Sequence, residues 1–187
     1  MTAVRIGHLV LEPAALRPDL LAEPVRAALA EASRRDESFA DVAVAEIDPE
    51  LADTAAFCAA YDVPLELSAN CVVVAGKREG AQRIAACVVL APTRADVNGV
   101  VKRRLDVRKC SFLSTDEAVA STDMEYGGIT PLGLPADWPI LVDEAVASLP
   151  WVIIGSGLRR SKIALPGGAL GWLARQGTGE VIPGLAR

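Results

Sequence analysis

The sequence is poor in the residues on which most enzyme signatures depend. It has a single histidine, His8, in 187 residues, so neither a Ser/His/Asp triad nor a multi-histidine metal site is expected. Its four cysteines, Cys58, Cys71, Cys87 and Cys110, stand far apart inside apolar segments, without the close paired spacing of a zinc knuckle or a redox pair. They read as reduced core residues, and neither a metal nor a cofactor is expected. Aromatic residues make up 4% of the chain, which argues against base stacking on aromatic platforms as the way to hold RNA. No stretch approaches the roughly 20 apolar residues of a membrane helix, and Met1 to Leu11 lacks a basic flank followed by a long apolar run. A soluble, unsecreted, cytoplasmic protein is the expectation.

What is present is an ordinary globular balance, with 51% hydrophobic and 23% charged residues. That is enough to bury one core without disulfides or metals. The net charge of −5 opposes unaided binding to a polyanion, so any RNA contact must be local. Two basic clusters offer one: Lys102, Arg103, Arg104, Arg108 and Lys109, then Arg159, Arg160 and Lys162. By charge alone they read first as a solvated helix face and a loop.

Periodicity predicts a helix over 24–34, with Pro24 at its first position and Val25, Ala28, Leu29 and Ala32 along one face. Val42, Val44 and Ile47 alternate as a short strand, and Asp53 suits the cap of a helix to about Tyr61. Apolar runs at 71–75 and 84–91 read as central strands joined by a polar turn over 76–83. A helix at 96–105 and a strand at 109–113 follow. Ser114 and Glu117 form a capping box for a helix to about Ser121. Strands at 140–142, 151–154 and 162–165 and a short terminal helix complete a mixed α/β chain, without an internal repeat or a dividing linker.

Two glycine-rich segments are the candidate sites. In Gly127-Gly128-Ile129-Thr130-Pro131-Leu132-Gly133 the glycines open conformations closed to other residues while the proline stiffens the loop, so its amides could face a ligand. Gly155-Ser156-Gly157 follows a strand but lacks the outer glycines of a nucleophile elbow. Each, taken alone, reads first as a tight connection, and neither is a phosphate loop or a dinucleotide fingerprint.

The order of the pieces is more informative than any one of them. The segments "DTAAFCAAYDVPLELSA", "NCVVVAG", "VLAPTRADVNGVVKRRLDVRKCSF", "STDEAVASTDMEYGGITPLGLP", "WPILVD" and "VIIGSGLRRSKIALP" together resemble the YbaK-type aminoacyl-tRNA editing domain, related to the insertion domain of bacterial prolyl-tRNA synthetase. The resemblance implies a curved, barrel-like mixed sheet with surrounding helices. It implies one domain over 1–187, with 49–175 as the editing domain and 1–48 as an N-terminal extension packed on the core. It also implies hydrolysis of the ester of mischarged tRNA in trans, with the tRNA 3′ end and an aminoacyl-tRNA synthetase as partners. Carried over residue by residue, Gly127, Gly128, Thr130, Pro131 and Gly133 match the family's pocket loop, Asp143 an acidic residue on the following strand, and Gly155, Ser156 and Gly157 a later glycine turn at the same pocket.

One departure bears on activity. The family's functional lysine falls where this chain has Asn70. Asparagine orients a carbonyl or a water but supplies no full charge. Lys77 lies seven residues along the strand, on the opposite face and roughly 23 Å away at about 3.3 Å per residue. Lys162, just after the second glycine turn, is the best stand-in among Lys102, Lys109 and Lys162. The catalytic candidates are therefore Asn70 and Lys162, with a non-catalytic protein that binds an aminoacyl group, a nucleotide or another small ligand as the alternative.

Overall fold

The computed structural model describes residues 5–187, so the first four residues of the N-terminal segment read above lie outside it. Among the described residues nine strands form two sheets. β1 (Glu12–Pro13), β2 (Ala43–Glu46), β8 (Ser161–Leu165) and β7 (Val152–Gly155) make an antiparallel sheet in the order β1-β2-β8-β7. The second, mixed sheet runs β5-β3-β4-β6-β9, built from β5 (Cys110–Phe112), β3 (Ala69–Arg78), β4 (Ala81–Leu90), β6 (Ile140–Asp143) and β9 (Glu180–Ile182). β4 pairs β6 and β6 pairs β9 in parallel, while the remaining pairs of this sheet are antiparallel. A parallel bridge from Ser68 to Ile153 joins the two sheets where β3 begins. The mixed α+β class implied by the resemblance holds, with the strands in two sheets, neither closed on itself, that meet at a seam.

Period-two alternation explains the layers. In the first sheet Val44, Val152, Ile154, Ile163 and Leu165 face a central core shared with Ala69, Val88 and Val142 of the second. Their neighbours Ala45, Ile153 and Ala164 face outward onto α2 (Thr54–Tyr61), around Phe57. On the far side of the second sheet, Val74, Ala85, Cys87, Val89 and Leu141 pack under a helical turn at Val97–Val101 and α3 (Lys102–Arg104). α1 (Glu23–Ala32), with Pro24 in its first turn, presses Val25, Leu29 and Ala32 into the central core. The N-terminal segment therefore supplies both a strand inside the first sheet and a helix on the core.

Local signals hold where side chains satisfy backbone groups. The Asp53 carboxylate accepts from the amides of Ala55 and Ala56 at the start of α2, and Asp62 in the left-handed conformation ends the helix. Ser114 caps α4 (Thr115–Thr122) by accepting from the Glu117 amide. The polar turn expected over 76–83 is shorter than predicted: β3 and β4 run on to Arg78 and from Ala81, and only Glu79 and Gly80 turn, both with positive φ. A two-residue hairpin of this kind matches the strand twist. No described helix is long and apolar enough to cross a membrane.

Candidate active site

A cavity of about 320 Å³ opens at the seam between the sheets. Its wall is built from the start of α2 (Ala52, Asp53, Thr54), the start of β3 (Ser68 to Val72), the loop at Tyr126, Gly127 and Ile129, the end of β7 (Ile154, Gly155), and Lys162 on β8. The structure thus brings Asn70, Lys162, Gly127 and Gly155 together from four separate stretches of chain.

Lys162 pairs with Gly155 across β7 and β8 and with Ala45 across β2. It shares the outer face with Ala164, so its stem runs under α2. The residue is buried, with an exposure of 7%. Nζ donates to the Ala52 carbonyl at 2.9 Å and stands 5.3 Å from the centre of the Phe57 ring. No carboxylate among the described residues forms a salt bridge with it. Burial pushes its pKa down from 10.5, while nearby Cys58 and Asp53 pull it partly back up and Arg159 adds to the depression. An ammonium held dry, with a single neutral acceptor, retains donors for an incoming oxygen.

Asn70 stands opposite on β3. Thr54 Oγ1 donates to its Oδ1 at 2.6 Å, which directs the Nδ2 group away from α2 as a free donor. Sequence reasoning missed Thr54, because nothing local ties residue 54 to residue 70; only the packing of α2 across the start of β3 does. Cys71 also reaches the wall, but burial, with Cys87 adding, pushes its thiol far above the ordinary range, so it carries no thiolate nucleophile near neutrality.

The two glycine segments, separate in sequence, pack backbone to backbone. Gly157 N–H donates to the Gly128 carbonyl at 2.8 Å, and Glu125 N–H donates to the Gly157 carbonyl at 2.8 Å. A Cβ on Gly128 would stand 2.7 Å from the Leu158 carbonyl carbon, and one on Gly155 would run into the Gly128 carbonyl oxygen. Gly128 therefore backs the wall while its neighbours Gly127 and Ile129 line it. Arg159 clamps the rim, donating its backbone N–H to the Glu125 carboxylate and its guanidinium to the carbonyls of Tyr126 and Pro49.

The other candidate residues lie outside the cavity. Thr130 is fully buried with no hydrogen-bond partner for Oγ1, and Pro131 is buried beside it. Gly133, with φ of +81°, packs against the Pro24 carbonyl. Ser156 is buried and bonded to Ser161 Oγ at 2.7 Å, while Gly157, with φ of +84°, presses on Ala22. Asp143 caps α5 (Glu144–Ala147) by accepting from the Ala145 amide at 2.9 Å, and its other oxygen accepts from the Ala186 amide at 2.9 Å. Asp143→Ala should therefore lower stability by about 1–2 kcal/mol, the usual cost of a lost cap, with turnover per folded molecule unchanged. Chemical denaturation paired with an activity assay checks this, and lost activity at full stability would count against it. Among the described residues no three His, Cys, Asp or Glu side chains converge as a metal site would need.

The architecture and the polar seam define an α+β domain of a type already solved. The chain is similar to the crystal structure of a proposed trans-editing enzyme for prolyl tRNA synthetase, at 20% identity and a TM-score of 0.70 over 87% of this chain and 94% of that one. A protein solved in work on epitope backbone grafting by computational design aligns with a TM-score of 0.70 at 19% identity, over 87% of this chain and 95% of that one. A hypothetical protein aligns with a TM-score of 0.64 at 18% identity, over 77% and 90% of the two chains. No curated protein matches the sequence. The aminoacyl-tRNA editing domain model matches residues 48–170, and the chain belongs to that family.

Proposed function

We propose that the seam cavity hydrolyses the ester of a mischarged aminoacyl-tRNA in trans, with the tRNA 3′ end entering the cavity and the protein working in the cytoplasm alongside an aminoacyl-tRNA synthetase. The observation that carries this reading is Lys162. A buried ammonium with no salt-bridge partner among the described residues is costly to maintain, and this one opens on the same small cavity as Asn70. In this reading Lys162 on β8 supplies the charge that relatives are expected to bring at position 70, which favours hydrolysis over a binding-only protein.

The chemistry needs no covalent enzyme intermediate. Water adds to the ester carbonyl carbon, and the carbonyl oxygen takes up the negative charge of a tetrahedral intermediate, which the Lys162 ammonium stabilises. Collapse breaks the bond to the ribose oxygen. That oxygen takes a proton, the attacking water gives one up, and the products are a free amino acid and a tRNA with its terminal hydroxyl restored. Asn70 Nδ2 orients the ester or the water, and Thr54 holds Asn70. The apolar part of the wall, Ala52, Ala69, Val72, Ile129 and Ile154, and the volume of about 320 Å³ suit a small amino-acid side chain.

The test is deacylation of a panel of mischarged tRNAs against a buffer control; no acceleration on any member would end the proposal. On a substrate that is cleaved, Asn70→Ala and Thr54→Ala should each slow hydrolysis about tenfold, the worth of one good hydrogen bond. Asn70→Lys should keep or raise the rate. Unchanged rates in all three folded variants would remove Asn70 from the site.

A further inference from the structure

Two further clefts continue the seam cavity along β3 and its edge neighbour β5. The first, of about 950 Å³, shares Asn70 and Val72 with the seam cavity and carries Arg94 and Arg187 on its far side. The second, of about 590 Å³, is bordered by Lys77, Arg108 and Lys109. Phe112 lines both. It lies on edge strand β5 opposite Val74, is 66% exposed, and packs into none of the three core clusters.

Most of the cations along this path are unpaired, although Asp96 lines the first cleft and Glu117 the second. Among the described residues, Lys77, Arg94, Arg108 and Lys109 form no salt bridge, and Arg187 pairs only with Asp96 at 2.6 Å. On a chain of net charge −5, such a concentration of free cations beside a bare aromatic ring fits a ligand that is both anionic and flat. An acidic peptide accounts for the cations but not for the ring. A single-stranded polynucleotide accounts for both, since its phosphates follow a basic groove while its bases stack on aromatic faces. The path also begins at the residue where the ester must lie.

We infer that the unpaired 3′ strand of the tRNA runs along this path, its terminal nucleoside in the cleft between Asn70 and Arg94, the next base stacked on Phe112, and the preceding phosphates beside Arg108 and Lys109. The inference rests on the editing reading for the position of the ester, but not for the path itself. It assigns to Phe112 the stacking role that the low aromatic content argued against: one exposed ring, rightly placed, replaces a platform.

The test uses a fluorescein-labelled RNA minihelix with a single-stranded CCA end and the same hairpin cut blunt, measured by anisotropy at low salt. Phe112→Ala should weaken binding of the CCA form about tenfold or more and leave the blunt form unaffected, while Phe112→Trp should restore it. Arg108→Glu with Lys109→Glu should weaken binding and flatten its salt dependence by roughly 0.7 in log–log slope for each phosphate that is no longer neutralised. Equal affinity of wild type and Phe112→Ala for the CCA form overturns the inference, as does an equal loss on the blunt form, which would point to a surface for another macromolecule. Because binding is read without turnover, a protein that binds the CCA end through Phe112 yet deacylates nothing leaves the path standing and removes the editing reading. Normal deacylation with no role for Phe112 does the reverse.

Discussion

Replacing Lys162 with methionine is expected to lower deacylation about 100- to 1,000-fold, the usual loss when a group that stabilises the oxyanion is removed, while leaving the melting temperature unchanged or higher. Methionine fills the volume of the lysine stem and keeps a favourable contact with the Phe57 ring, and the Ala52 carbonyl loses one neutral hydrogen bond, a smaller cost than that of an unpaired buried charge. What disappears is a buried charge. Its folded pKa lies below 10.5, so between that value and 10.5 the unfolded chain binds more protons and the stability of the wild type rises with pH. Below the window the cost of burial is felt in full, and Lys162→Met should then be more stable than wild type by a margin that shrinks as pH approaches 10.5. The same depression should make wild-type deacylation, corrected for spontaneous hydrolysis, fall on the alkaline side as the ammonium is lost. A folded Lys162→Met protein with wild-type deacylation, or a stability margin that grows with pH, would refute this assignment.

Gly155→Ala should damage fold and site together. The new methyl meets the Gly128 carbonyl oxygen and the Ile129 carbonyl, and backbone cannot swing aside as a flexible side chain does. Overpacking of this kind costs about 1–3 kcal/mol, or a fall of about 3–10 °C in a chain of this size. Gly155 is also the strand partner of Lys162, so the shift that relieves the clash moves the ammonium, and misplacement by about 1 Å costs on the order of a hundredfold in rate. Gly168→Ala, where a Cβ meets nothing within 4 Å, is the control. A Gly155→Ala protein with wild-type melting and turnover would show that the two glycine segments do not need their close approach.

The elements that periodicity and caps predict are those whose stabilising contacts lie within a few residues: α1 with Pro24 in its first turn, α2 behind Asp53, α4 behind Ser114, and the strands β6, β7 and β8 with their apolar runs. Residues 76–83 look like a turn because the outer half of the hairpin has passed beyond the core, where burial no longer imposes alternation, although the backbone ladder continues to Arg78 and Ala81. β1 and β9, of two and three residues, are too short to carry a pattern and exist because a neighbouring strand offers them partners. The glycine segments are visible as motifs, and the order of the segments carries the family. Which lysine meets the cavity is a different kind of question. Its place just after the second glycine turn sets Lys162 apart from Lys102 and Lys109 in sequence, but it is the pairing of β8 with β7 that puts residue 162 opposite Gly155 and under α2. Asp143 shows the converse, an acid on an apolar strand that reads as a ligand contact but serves the amides of Ala145 and Ala186. Local composition determines where the chain turns helical or extended, because those energies arise within a few residues. The site is assembled from residues up to 110 positions apart, as in the bond from Lys162 to Ala52, and only the meeting of the two sheets decides it.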